Sequence, residues 1–198
     1  MRPAERSSTR CNVSNIVQDP EESLEGGPWI EENPTGAARA LFLGILLLMA
    51  GNGDRALETF TRAQEVSPEH PHVAAGIAES RAMIGDLEGA QAAFTDALTL
   101  APGQPDLIIS LARVQDARGE VEAAEKTLRA ACSEHPGQLA LWQSLARALR
   151  AWDRIEDASD VCRQAEVHHP QTLELKAQRA ELAYELRDLE TAQELYTE

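Results

Sequence analysis

Set against itself with a shift of 34 residues, this chain repeats without a gap. Ala56, Ala90, Ala124, Ala158 and Ala192 fall in one column. Pro68, Pro102, Pro136 and Pro170 fall in a second, and Ala63, Ala97, Ala131 and Ala165 in a third. A fixed period of this length means one supersecondary unit stacked on copies of itself, each burying its apolar face only against its neighbours. The clearest copy is 71–104. Its two apolar runs at helical spacing are separated by Gly85 and closed by Pro102, which cannot continue a helical hydrogen-bond ladder. The expected fold class is all-α, built from helix-turn-helix units, with no strand.

The columns Gly44/Ala78/Ala112/Ala146/Ala180 and Phe60/Phe94/Leu128/Cys162/Tyr196, together with the closing prolines, resemble the tetratricopeptide repeat family. The resemblance runs from about Ala37 to the end. It implies a right-handed α-solenoid whose first helices line a concave groove that takes peptide segments of partner proteins. Repeats are expected at about 37–70, 71–104, 105–138, 139–172 and an incomplete 173–198. Residues 1–35, rich in Ser, Asn, Pro, Gly and Glu, read as a disordered arm. Within it Trp29 and Ile30 either pack on the first repeat or are incidental.

Several local features qualify the plan. Residues 40–50, ALFLGILLLMA, are apolar on every side, although the packing stripe needs only Ala40, Leu43, Gly44 and Leu47. Phe42, Leu46 and Met49 therefore call for other cover: the arm, a second copy of the chain, or a ligand. In the second helix Ala56, Leu57, Phe60 and Ala63 are expected inward. Asp54 and Asp86 are placed to cap second helices and to meet the positive end of the helix dipole. Asp153 stands where other turns have glycine, which predicts a looser or differently shaped turn. Lys176 and Arg179 stand in columns that should be apolar, which makes the register of the fifth repeat less certain. The chain stops inside a second helix, so it is expected to fray after about Leu173 and the gene product to continue with a capping helix.

Composition removes several functions. The formal charge of −15 repels phosphate backbones and anionic lipid heads, so neither nucleic acid nor a membrane surface is an expected partner. The greasy 40–50 stretch would be about 16 Å long as a helix, too short for about 30 Å of hydrocarbon. No signal peptide is recognisable, and a cytoplasmic location is the default. Cys11, Cys132 and Cys162 form no paired framework; the last two are expected as buried free thiols. His70, His72, His135, His168 and His169 lie between helices, without ligand spacing for a metal. No catalytic motif and no cofactor-binding loop is present, and no enzyme activity is expected of these residues.

The residues just off the packing stripe of each first helix should face the groove. In chain order they are Leu41, Ile45 and Leu48; Ala75, Glu79 and Ala82; Ile109, Arg113 and Asp116; Gln143, Arg147 and Arg150; and Ala177, Glu181 and Tyr184. Arg113, Arg147 and Arg150 either form a basic cluster for a partner's carboxylates or pair with Asp116 and Glu181 and bind nothing. The set that clamps chaperone C-terminal tails in some members of the family is not matched, since Leu41, Ile45, Gly76, Asp106 and Ser110 hold its places. The favoured function is a non-enzymatic scaffold that binds a peptide or protein partner. The rival is the N-terminal region of a longer enzyme, such as a sulfotransferase, glycosyltransferase or hydroxylase, with its catalytic domain beyond residue 198. Self-association through the apolar first helix is a third reading.

Overall fold

The computed structural model describes residues 34–170 and 172–197. The expected arm, with Cys11, Trp29 and Ile30, lies outside the described residues apart from its last two positions. Ten helices are described: α1 (Pro34–Met49), α2 (Gly53–Val66), α3 (Pro71–Met83), α4 (Leu87–Leu100), α5 (Pro105–Ala117), α6 (Val121–Glu134), α7 (Leu139–Ala151), α8 (Ile155–His168), α9 (Leu173–Glu185) and α10 (Leu189–Thr197). No strand occurs among the described residues. Helix α1 begins three residues ahead of the expected Ala37, because Pro34 serves as its first residue, where a missing N–H costs nothing. Pro71 and Pro105 open α3 and α5 in the same way.

The chain divides into two compact units, Met1–Gly85 and Asp86–Glu198. In the first, α1 packs on α2, and α2 on α3. Phe60 on α2 organises this unit. It is 1% exposed, and a Cβ placed on Gly44 of α1 or Gly76 of α3 would come within 2.4 or 2.5 Å of its ring. Two glycines therefore let one aromatic side chain fill the space between three helices. Ala40, Gly44 and Leu47 are buried as the stripe requires, Leu43 and Leu57 are half-buried, and Ala56 and Ala63 are fully enclosed.

In the second unit each helix from α4 to α10 packs on the next, and α5 also touches α7. Its core includes Leu128, Leu141, Trp142, Leu145, Leu149, Val161, Leu175 and Leu182, with Ala at the close approaches. Full burial of each such leucine is worth about 1.5–3 kcal/mol. Trp142 donates its indole N–H to the Pro136 carbonyl at 2.9 Å and stacks on His168. Cys132 and Cys162 are buried free thiols.

The fifth repeat keeps its register. Leu175, Ala180, Leu182, Ala183 and Ala192 are all buried. Arg179, in the column of Ile77, Leu111 and Leu145, replaces their apolar contact with an ion pair to Glu166 on α8. The turn at Asp153 also departs from expectation, for it has the same form as the glycine turns. Gly51, Gly85, Gly119, Asp153 and Arg187 recur every 34 residues and have φ of 74°, 87°, 80°, 61° and 65°. The Asp153 and Arg154 N–H groups bond the Arg150 and Leu149 carbonyls at 3.1 and 2.9 Å, as Gly119 and Glu120 bond Asp116 and Gln115 at 2.8 and 2.9 Å. This closure satisfies carbonyls at the helix end, and the stacked helices impose it even where the side chain is unfavourable. Capping by a side chain follows the residue type within the column, since Glu120 and Arg154 stand in the same N-cap position and make no such bond. Asp86 and Asp188 accept bonds from the backbone N–H groups of Gly89 and Thr191, at 2.9 and 3.1 Å. In the first unit that column holds Asn52, which makes no side-chain cap bond; Asp54 lies in the first turn, inside the helix.

Candidate functional site

The expected groove residues divide between the two units. On the first, Leu41 and Leu48 of α1 are half-buried and Ile45 is exposed. Glu79 of α3 is exposed between half-buried Ala75 and Ala82, and α1 and α3 are in contact. This face is mainly apolar. On the second unit, Ile109 and Gln143 are half-buried, whereas Arg113, Asp116, Arg147, Arg150, Ala177, Glu181 and Tyr184 are exposed. They stand on the first helices α5, α7 and α9, so helical geometry does bring the off-stripe residues to the surface as a set.

The three arginines do not behave as one cluster. Arg150 binds Glu185 through two nitrogens and lies 3.5 Å from Glu181, so α7 and α9 are clipped together by a bidentate pair. Asp116 is not an arginine partner. Its Oδ1 accepts the Trp152 indole N–H at 2.7 Å, across the α5–α7 step. Arg147 is engaged only within α7, donating to the Gln143 carbonyl and Ser144 Oγ, both at 3.3 Å. Arg113 makes no hydrogen bond or ion pair among the described residues. Of the expected basic cluster, Arg150 is thus spent on structure while Arg113 and Arg147 remain available.

Three contributors to this face were missed from sequence. Glu185 and Trp152 lie at the ends of their helices, off the columns that predict groove residues. Tyr196, assigned to the interior column of Phe60, is 64% exposed. Together Arg150, Glu181, Tyr184, Glu185 and Tyr196 line a shallow depression. A second depression lies on the outer side of α6, around Glu122, Glu125, Lys126 and Arg129. There Glu125 accepts from Arg154 at 2.5 Å and Arg129 at 2.8 Å, and the Arg154 hydrogen bond above all holds its carboxyl below the ordinary range. Arg154 also reaches Asp157 at 2.7 Å, so this network joins α6 to the start of α8.

Among the described residues no group of three or more His, Cys, Asp and Glu is placed to hold a metal ion. His169 Nε2 sits 3.2 Å from the Pro136 carbonyl, and His70 and His72 lie ring to ring at 5.6 Å; contrary to expectation, His72 is in the first turn of α3 and His168 ends α8, while His70 and His169 are cap residues. Burial pushes the Cys132 and Cys162 thiols up to about 12, far from the thiolate a nucleophile needs. Among the described residues no helix is long and apolar enough to cross a membrane.

A tetratricopeptide repeat model matches residues 85–149. No curated protein matches the chain. Solved structures of similar fold include PilF of Pseudomonas aeruginosa, 16% identical over 81% of this chain and 73% of that one, with a TM-score of 0.64. A thermophilic tetratricopeptide repeat protein of Thermus thermophilus is 21% identical over 81% and 88%, with a TM-score of 0.58. YrrB, described as a tetratricopeptide repeat protein with an unusual peptide-binding site, is 17% identical over 85% and 89%, with a TM-score of 0.55. At these identities the likeness is one of fold. Residues 85–149 therefore match the tetratricopeptide repeat family, and the described chain, with its 34-residue period and paired helices, has the all-α fold of tetratricopeptide repeat solenoids.

Proposed function

We propose that this protein is a non-catalytic scaffold that binds a peptide or protein segment on the first-helix face of its second unit. Ile109, Arg113, Gln143 and Arg147 form the contact surface, and the partner carries carboxylates. The observation behind this reading is the division of labour among the arginines. Arg150 is saturated by Glu185 and Glu181, whereas Arg113 is unpaired and Arg147 is held only by weak bonds within its own helix. An exposed, unpaired guanidinium exchanges water for a carboxylate at little cost, and two of them on neighbouring helices fix a direction for an extended chain. Half-buried Ile109 and Gln143 add apolar area between them. The first unit's face, with Leu41, Ile45, Leu48 and Glu79, is suited to apolar side chains instead. Asp116, Arg150 and Glu181 position the helices and border the surface.

The test is selection of binding peptides from a displayed random library by the full chain. Enrichment of Asp- and Glu-containing sequences is expected, with affinity that falls as salt is raised. The double variant Arg113→Glu/Arg147→Glu should keep its helical circular dichroism and lose these peptides. Retained affinity in that variant would remove the assignment, and enrichment of purely apolar peptides would move the site to Leu41 and Ile45.

A further inference from the structure

Both tyrosines of this chain stand at one place on the second unit. Tyr184 of α9 and Tyr196 of α10 line the depression that also holds Arg150, Glu181 and Glu185. Their side chains are open to solvent, Tyr184 at 65% and Tyr196 at 64% exposure. Among the described residues neither phenol makes a hydrogen bond or a ring contact. Glu181, Tyr184 and Glu185 share one face of α9 because they are spaced i, i+3 and i+4. Arg150 enters from α7 and Tyr196 from α10. Exposed phenol rings beside carboxylates combine a broad apolar surface with fixed charge, the combination that recognition surfaces favour.

The charges select the occupant. Arg150 donates to both carboxylate oxygens of Glu185 but approaches Glu181 no closer than 3.5 Å, longer than a charge-assisted hydrogen bond. One guanidinium therefore stands against two carboxylates, and the depression keeps a negative charge centred on Glu181, whose side chain is 55% exposed. An acidic ligand would be repelled here, and an apolar one would leave Glu181 with no new partner. A cation satisfies both the carboxylate and the negative faces of the rings. Lysine would bring a compact, strongly hydrated charge, whereas a planar guanidinium stacks on an aromatic face while its N–H fork meets a carboxylate. The formal charge of −15 on the chain draws such a cation in. We propose that this depression binds an arginine side chain of a partner protein, with the guanidinium against the Tyr184 and Tyr196 rings and paired with Glu181. The site is separate from the surface around Arg113 and Arg147 and does not need it.

Isotopic labelling of tyrosine in the full chain gives a direct readout, because Tyr184 and Tyr196 supply all of the ring signals. The probe is a blocked glycyl-arginyl-glycine peptide, and its control carries citrulline, which has the same shape without the charge. Both sets of ring signals are expected to move together and to saturate with the arginine peptide, and to respond several-fold more weakly to the citrulline peptide. Added salt should weaken the arginine peptide's binding. Glu181→Gln should weaken it several-fold while keeping the parent's circular dichroism, since Arg150 retains Glu185. The double variant Arg113→Glu/Arg147→Glu should bind the arginine peptide as the parent does, which separates this site from the surface on α5 and α7. Ring signals that do not move, that respond equally to citrulline, or that are indifferent to Glu181→Gln would overturn the proposal. Ring signals that change when the protein alone is diluted would also overturn it, by making the occupant a second copy.

Discussion

The close approach around Phe60 can be measured as an energy of coupling. In Gly76→Ala the new methyl would stand 2.5 Å from the Phe60 ring, so the ring or helix α3 must move. Overpacking of this kind costs about 1–3 kcal/mol, offset by the roughly 1 kcal/mol that Ala gains over Gly inside a helix. The single variant is therefore expected to be destabilised by about 1 kcal/mol. Phe60→Ala empties a site only 1% exposed and should cost about 3–5 kcal/mol. In the emptied background the clash is gone, and Gly76→Ala should become stabilising by about 1 kcal/mol. The double-mutant cycle then gives a coupling of about 2 kcal/mol, well above the scatter of additive sites. Urea melts followed by circular dichroism, fitted to the transition of the first unit, supply the four stabilities. A coupling near zero would mean that α2 and α3 do not meet through Phe60 and Gly76.

Asp153→Gly should stabilise the second unit by about 1 kcal/mol in the same assay, since Asp153 holds a left-handed φ that favours glycine. Unchanged stability would show that the Asp153 side chain compensates its own strain. Arg179→Leu strands Glu166, whose Oε1 is already buried without a partner, and should cost about 2 kcal/mol; Glu166→Leu/Arg179→Leu should recover most of it. Failure of the double variant to recover would make the ion pair a net stabiliser. Cys132 and Cys162 titrate near 12 when folded against an ordinary 9.0, so the native thiols should resist alkylation at neutral pH. A raised folded pKa contributes stability that is full below 9.0 and lost as pH climbs towards 12, so urea midpoints should fall across that window. Midpoints flat across it would contradict the burial.

The repeating columns made the architecture legible because the same packing problem is solved at each step. Ala56, Ala90, Ala124 and Ala158 are all 0% exposed, and the sequence period alone picks them out. Asp153 and Arg187 were harder to read. Their turn is imposed by helices that stack on either side, so the column's geometry persists after its glycine is gone. Arg179 was misleading for a related reason, because an ion pair with Glu166 can occupy an apolar position. The candidate face was legible as a list of residues but not as a set of partners. Whether Asp116 binds an arginine or Trp152, and whether Arg150 takes Glu181 or Glu185, depends on rotamers and on the offset between neighbouring helices, neither of which a period encodes.

The most direct test of the binding face is amide and arginine side-chain shift mapping by nuclear magnetic resonance, with an acidic peptide selected on the full chain. The account predicts that the largest perturbations cluster at Ile109, Arg113, Gln143 and Arg147 on α5 and α7, with the guanidinium resonances of Arg113 and Arg147 moving most. Perturbations centred on Glu122, Lys126 and Arg129 of α6, with α5 and α7 unmoved, would contradict it.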